Sequence, residues 1–340
     1  MNDILRIDAS EVIQHIDCEM FKDKMILITG ASGLLGIHFI SVLKELTFDF
    51  KCILIVNSEP EIWFYELISD DGRFEYYKID LSKVDINKQL KGFGQFDIIL
   101  HLATYGQPLK FMANELTTIK LNTLTTMQLF ELLNPKGKFL FLSSSELYSG
   151  LTNLRHKESE IGTTTPEHHR SCYIEGKRCG EAICNTYYKQ GYDVKIIRLC
   201  LAYGSGVKLS DKRALNTFIY NGLTQGEIKL MDSGSAIRAY CYITDVMKML
   251  INIMSAGEEL VYNVGGHQPI TIKQLAEMIG QQLNVPVIIP EDKQELEGAP
   301  NQVTLSLDKY LNEFPDTECL DINEGIKRTI NWWKYLIENQ

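Results

Sequence analysis

Tyr173 and Lys177 carry the first chemical signal in this sequence. Residues four apart on a helix share one face, about one turn apart. A tyrosine phenol has a reference pKa near 10 and is a poor base at neutral pH. An ammonium beside it favours phenolate, so the pKa should fall and the pair could pass a proton to and from a hydroxyl. Upstream lies a cluster of hydroxyls and one acid, Leu142-Ser143-Ser144-Ser145-Glu146-Leu147-Tyr148. A hydroxyl there can hydrogen-bond the oxygen on a reacting carbon, and Glu146 offers an acid or base. Alone, a Tyr-x-x-x-Lys pattern arises by chance on surface helices. It gains meaning from what precedes it.

What precedes it is a glycine turn, Thr29-Gly30-Ala31-Ser32-Gly33-Leu34-Leu35-Gly36. It follows an apolar run, Met25–Thr29, that reads as a strand, and it opens a helix over Leu34–Leu46. That setting makes a glycine pattern a dinucleotide-binding fingerprint. Gly30 permits the tight turn, Gly33 lets backbone approach a pyrophosphate, and Gly36 lets the helix pack close to the strand. The helix N-terminus supplies free N–H groups for phosphate.

The elements that must position these groups alternate regularly. Further strands are expected at Cys52–Val56, Phe74–Ile79, Phe96–Leu100, Lys138–Leu142 and Val194–Arg198. Helices are expected over Ala113–Leu133 and Tyr173–Gln190. Such alternation implies βαβ units with right-handed crossovers, hence an α/β fold with a doubly wound parallel sheet (Rossmann). After Arg198 the rhythm loosens, and helical segments at Ala214–Gln225, Ile272–Leu283 and Ile322–Glu338 dominate. We therefore expect a smaller mixed C-terminal substrate lobe over 201–237 and 267–340. The dinucleotide-binding domain would span 24–200 with 238–266 returning to it, after a helical N-terminal extension at 1–23. The cleft between the lobes is the expected site.

The glycine spacing, the Ser144 hydroxyl and the Tyr173/Lys177 pair together resemble the extended short-chain dehydrogenase/reductase superfamily, in its nucleotide-sugar epimerase/dehydratase/decarboxylase family. The resemblance covers 24–335 and includes Arg170-Ser-Cys-Tyr173-Ile-Glu-Gly-Lys177-Arg178, the segment Asp232–Asp245 and Tyr262-Asn263-Val264-Gly265. It implies an enzyme with bound NAD. Gly30, Ser32, Gly33, Leu34, Leu35 and Gly36 would cradle the cofactor. Asn57 stands where the family usually has an Asp for the ribose, and no Arg or Lys lies between Lys51 and Arg73 to hold a 2′-phosphate. NAD is thus expected over NADP. Asp80 and Leu81 resemble the pair beside adenine, Leu102, Ala103 and Thr104 the turn after strand four, and Asn122 an Asn in the next helix. Tyr173, Lys177, Ser144 and Glu146 would be catalytic.

The resemblance also implies a substrate. Ser145 and Glu146 match the Ser-Glu of UDP-glucuronate decarboxylases, where 4,6-dehydratases carry Asp-Glu and 4-epimerases carry neither acid. Arg238 falls where the family's Arg reaches the substrate diphosphate, and Lys208 could add a cation. The expected function is therefore modification of a nucleotide-diphosphate sugar through a 4-keto intermediate, most like decarboxylation, in surface-polysaccharide biosynthesis. Epimerisation, 4,6-dehydration and 4-keto reduction are the alternatives, and a non-catalytic NAD sensor is one of another class. Two positions break the pattern. After strand six the family reads Arg-x-x-Asn-x-Tyr-Gly-Pro, and Leu201 replaces the Asn. Near the C-terminus a second phosphate-binding Arg is expected, and Pro300-Asn301-Gln302-Val303 offers only amides.

Composition narrows the partners. With 34 basic and 44 acidic residues the net charge is −10, which argues against nucleic acid. No apolar run approaches the ~20 residues of a membrane helix, and the N-terminus lacks a secretory core. The eight cysteines form no CxxC pair, which suggests reduced thiols and a cytoplasmic protein. His168-His169 has no acid or thiol at ligand spacing, so no metal is expected. Met112–Leu133 and Cys172–Lys189 are candidate contacts of a homodimer.

Overall fold

The computed structural model describes residues 2–290 and 302–339. Pro300 and Asn301, which stand where the family pattern would place a second Arg, lie outside them.

Six strands build the core sheet: β1 (Met25–Thr29), β2 (Lys51–Val56), β3 (Phe74–Lys78), β4 (Phe96–His101), β5 (Leu133–Ser144) and β6 (Asp193–Leu199). Val261–Val264 adds a seventh at the edge, giving the order β3-β2-β1-β4-β5-β6 and then this last strand. Every neighbouring pair is parallel. β1 and β2 are nearly continuous apolar runs because both faces of the sheet are covered there, whereas the edge strand β3, Phe-Glu-Tyr-Tyr-Lys, is buried only at Phe74. Ile26, Ile28, Leu54, Leu100 and Leu142 point into one core, and Leu27, Ile53, Ile99 and Phe141 into another on the opposite face. The fold is thus the doubly wound α/β sheet read from the alternation.

Helix α1 (Asp3–Ile13) precedes the sheet, and α2 (Leu34–Glu45) follows β1 directly. Beyond β6 the segment Ala202–Tyr203 pairs with Cys241–Tyr242, and Ile237–Ala239 is flanked by Pro269–Thr271 and Gln302–Val303. Helices Ala214–Gln225, Ile272–Leu283 and Ile322–Glu338 pack around these short strands, with boundaries matching the sequence reading.

Two expectations need correcting. The single helix expected over Ala113–Leu133 is two shorter ones, Glu115–Asn122 and Leu124–Glu131, preceded by another at Pro108–Ala113. The chain breaks at Asn114 and again at Thr123, where φ is −119° and ψ −80°. The hydroxyls of Thr118, Thr123 and Thr126 bond the carbonyls of Asn114, Ile119 and Asn122 one turn back, a pattern that bends helices. Strand five is also longer than Lys138–Leu142, because it begins at Leu133, where it pairs with Phe96 across an irregularity in register.

Candidate active site

The C-terminal ends of β1, β4 and β5 meet at one place, and the glycine turn occupies it. Gly30 has φ +71°, and a Cβ there would come within 2.9 Å of Ala103 Cα and N. A Cβ on Gly36 would lie 2.5 Å from the Ala31 carbonyl oxygen. Both positions therefore exclude side chains, and they leave α2 pressed onto β1 with its N-terminus open at the turn. The first N–H groups of a helix have no intrahelical partner and carry its positive dipole end. This backbone cradle fits the diphosphate of a dinucleotide.

Beneath the turn lies a fixed hydrogen-bond relay. His101 Nε2 donates to Leu121 O (2.9 Å), so its Nδ1 is an acceptor and takes the Thr29 hydroxyl proton (2.8 Å). The Ala103 N–H in turn donates to Thr29 Oγ1 (3.3 Å). Burial and the nearby Lys177 hold His101 down to about 3, so it stays neutral. Leu102 is buried and its N–H bonds Thr29 O, while Thr104 Oγ1 accepts from Asn122 Nδ2 (3.2 Å). Asn122 is fully buried and its Oδ1 has no partner, an unspent acceptor beside the turn. Asn57 is exposed at the end of β2, where a ribose would lie. Asp80 holds its own turn through Ser82 and Lys83, and Leu81 packs into the core.

The helix Ser171–Lys189 carries Tyr173 and Lys177 against the end of β5. Its close approach depends on Gly180, where a Cβ would lie 2.3 Å from the Phe141 ring and 2.7 Å from Asn122 O. Lys177 is buried, donates to Leu142 O, and sits 4.8 Å from the Phe141 ring centroid and 5.8 Å from that of Tyr173. Desolvation pulls its ammonium down to about 7, against the opposing charge of Glu181. Tyr173 is stacked on Phe111 with centroids 4.6 Å apart and rings 11° from parallel.

The phenol departs from expectation. The fall in pKa predicted from the neighbouring ammonium is not seen: burial pushes Tyr173 up to about 12. A hydrogen bond with Ser144 lowers it and the charge of Glu146 raises it further. Phe111, stacked on the ring, is part of the packing that keeps water from the phenol.

Glu146 follows Ser144 on a short 3₁₀ turn, with Ser144 Oγ accepting the Glu146 N–H (3.2 Å). Arg170 Nη1 pairs with Glu146 Oε1 at 2.8 Å, leaving Glu146 Oε2 and Arg170 Nε buried without partners. Arg238 is close enough for Glu146, Cys200, Tyr240 and Arg170 all to act on its charge, and burial lowers its pKa. Ser145 hydrogen-bonds the Cys200 thiol, which burial pushes up to about 12. Behind them Arg198 makes a two-pronged pair with Glu181 (2.9 and 2.7 Å), and Glu181 accepts from Ser143 (2.6 Å). Lys208 lies at the other edge, donating to Ser32 Oγ in the glycine turn (3.2 Å).

Sequence reasoning gave no role to Phe111, Arg170 or Glu181. Arg170, three residues before Tyr173, was the findable one: a cation beside the catalytic pair in the sequence. Phe111 lies too far along the chain for any local signal.

The likeness to known proteins agrees with this geometry. A family model described as "NAD dependent epimerase/dehydratase family" matches residues 26–265. UDP-glucuronic acid decarboxylase 1 of Danio rerio is 29% identical over 265 residues, covering 75% of this chain and 60% of that protein. The chain thus spans well under two thirds of that relative's length. UDP-glucuronic acid decarboxylase 1 of Xenopus tropicalis is 27% identical over 326 residues, covering 93% of this chain and 74% of the relative. A solved UDP-glucose 4-epimerase from Thermotoga maritima has the same fold, with a TM-score of 0.78 and 20% identity over 92% of this chain and 99% of its own. No helix among the described residues is long and apolar enough to cross a membrane. With its family model spanning the sheet, the glycine turn and the Tyr173 helix, the chain belongs to the NAD dependent epimerase/dehydratase family.

Proposed function

We propose that this protein decarboxylates a uronic acid carried on a nucleoside diphosphate, by way of a 4-keto sugar. One observation carries the reading: Glu146 stands beside Ser144 and Tyr173 with a buried, unpartnered carboxylate oxygen and an arginine on its other oxygen. A plain epimerase has no task for such an acid. The decarboxylase relatives support the same choice.

NAD held at Gly30–Gly36 would supply the hydride acceptor for the sugar C4 and return the hydride afterwards. The residues of this chain do the rest. Tyr173 takes the C4 hydroxyl proton, and Lys177 stabilises the resulting phenolate. Ser144 donates to the C4 oxygen while it is a carbonyl. The C5 carboxylate is then β to a ketone. Loss of CO2 leaves the bonding electron pair as an enolate on the C4 oxygen, where Ser144 and the Tyr173 hydroxyl stabilise it. Protonation at C5 restores the ketone, and Tyr173 returns its proton as C4 is reduced. Arg170 and Arg238 orient the carboxylate and the diphosphate. Glu146 positions Arg170 and, through a water, acts as the acid that delivers the proton to C5.

The test uses NAD-loaded protein and UDP-glucuronic acid labelled in its carboxyl carbon. We expect labelled CO2 and a UDP-pentose, with Glu146→Gln cutting release by about 10²-fold, the lower end for a lost acid or base. Accumulation of a C4 epimer without CO2 would overturn the reading. We further propose a cytoplasmic role in surface-polysaccharide synthesis and a homodimer. Exposed Leu116, Ile119, Leu124 and Met127 support the dimer, lying along the 115–131 helices.

A further inference from the structure

Helix α1 lies before the residues matched by the family model, yet it is tied to the rim of the site. Its apolar face, Leu5, Ala9 and Val12, is buried. More telling is Asp8, which is 0% exposed. Its carboxylate accepts from Ser205 Oγ (2.5 Å), Tyr242 OH (2.9 Å) and Arg328 Nη1 (3.1 Å). A buried carboxylate survives folding only when donors surround it, so this arrangement is costly to disturb.

Ser205 is held from both ends. Its hydroxyl is on Asp8 and its carbonyl accepts from His38 Nε2 (2.9 Å), on the same helix α2 that opens at the glycine turn. Burial lowers the His38 pKa, which keeps the ring neutral in this role. Two residues on, Trp332 Nε1 donates to Val207 O (2.9 Å). The segment 205–207 is therefore pinned by three separate elements. The next residue is Lys208, whose ammonium lands on Ser32.

That position is electrostatically unfavourable on its own. A cation at a helix N-terminus faces the positive end of the dipole. Lys110 adds repulsion and Glu61 some relief, while burial lowers the Lys208 pKa. A neutral serine hydroxyl does not offset these costs, and holding a long flexible lysine in one geometry adds an entropic one. An anion between Lys208 and the α2 N-terminus would.

We infer that Lys208 is a ligand of the cofactor's pyrophosphate and that α1, through Asp8 and Ser205, is the strut that holds it there. This assigns Lys208 to the dinucleotide and not to the sugar nucleotide, and it gives the N-terminal helix a positioning task. The inference rests on NAD occupying the glycine turn.

The test measures binding and not turnover. Protein stripped of nucleotide is titrated with NAD and, separately, with UDP. Lys208→Met should weaken NAD about tenfold, the scale of one charge-assisted hydrogen bond, and leave UDP within about twofold. Asp8→Asn and Ser205→Ala should each weaken NAD about threefold in wild-type protein, on the scale of a repositioned contact. Neither should weaken it further once Lys208 is Met. The Ser205 variant removes one hydroxyl and guards against a folding defect at Asp8. Loss of UDP affinity with NAD unchanged, or losses that multiply in the double variants, would overturn the inference. Wild-type protein that binds no NAD would instead overturn the reading of the glycine turn.

Discussion

The glycine turn and the Tyr173 pocket are neighbours at the ends of the same strands, but they are built by opposite means. The turn is almost entirely backbone, contributed by eight consecutive residues and shaped by absent side chains at Gly30 and Gly36. The pocket is almost entirely side chain. Phe111, Ser144, Glu146, Arg170, Tyr173 and Arg238 come from separate elements, and their properties arise from one another. Burial pushes Tyr173, stacked on Phe111, up to about 12, and burial beside Phe141 pulls Lys177 down to about 7. A backbone site tolerates little change in shape and has little charge to tune. A side-chain site tolerates shape changes and is tuned by every neighbour.

The sharpest way to break this division is Tyr173→Phe. Turnover of the sugar nucleotide should fall by about 10²–10⁴-fold, the usual contribution of a positioned acid or base, while NAD affinity stays within about twofold. Loss of both would mean the two regions are one. The pH profile of the unaltered protein sharpens the point. Tyr173 and Lys177 titrate as a pair. With Lys177 near 7 and Tyr173 near 12, the pair gives up its first proton around neutrality. Below that pH both groups keep their protons and no base is present, so the rate of the first half-reaction should climb as pH rises through about 7. A flat profile between pH 6 and 8 would show that the pair does not control the step.

A smaller effect is expected on the backbone side. Gly36→Ala would place Cβ 2.5 Å from a backbone oxygen that cannot swing away. Overpacking of this kind costs ~1–3 kcal/mol, readable in chemical denaturation, and NAD affinity should fall with it. Wild-type stability in this variant would show that α2 slides freely on β1 and that the cradle is not rigid.

The smallest effect is at Leu201, just beyond the end of β6. Its φ of +43° is one of three positive values among the described non-glycine residues, the others being Asp23 and Asn284. The backbone here keeps a left-handed conformation that asparagine accepts and leucine does not. Leu201→Asn would relieve ~1–2 kcal/mol of that strain while losing about as much partial burial against the core. The net change in unfolding free energy should stay within about 1 kcal/mol, where a leucine at a core edge would ordinarily lose more. A large loss would mean that the packing of Leu201, and not its backbone, decides the position.

The sequence by itself determined the strands of the core sheet, the turn and the limits of several helices, because those depend on local patterns. Apolar stretches marked β1, β2, β4, β5 and β6, and the helices Ala214–Gln225, Ile272–Leu283 and Ile322–Glu338 follow from their spacing alone. The run at 113–133 was misleading for a local reason of another kind, since threonine hydroxyls compete for helix carbonyls without disturbing hydrophobic periodicity. Tertiary structure alone decided the electrostatics: the upward shift of Tyr173, the Glu146–Arg170 pair and the burial of Asp8 against Ser205 and Arg328. Asp8 and Arg328 lie 320 positions apart, and no window of sequence contains both. A charge's state depends on which groups surround it and how much water they exclude, and both are settled only when distant segments close on one another.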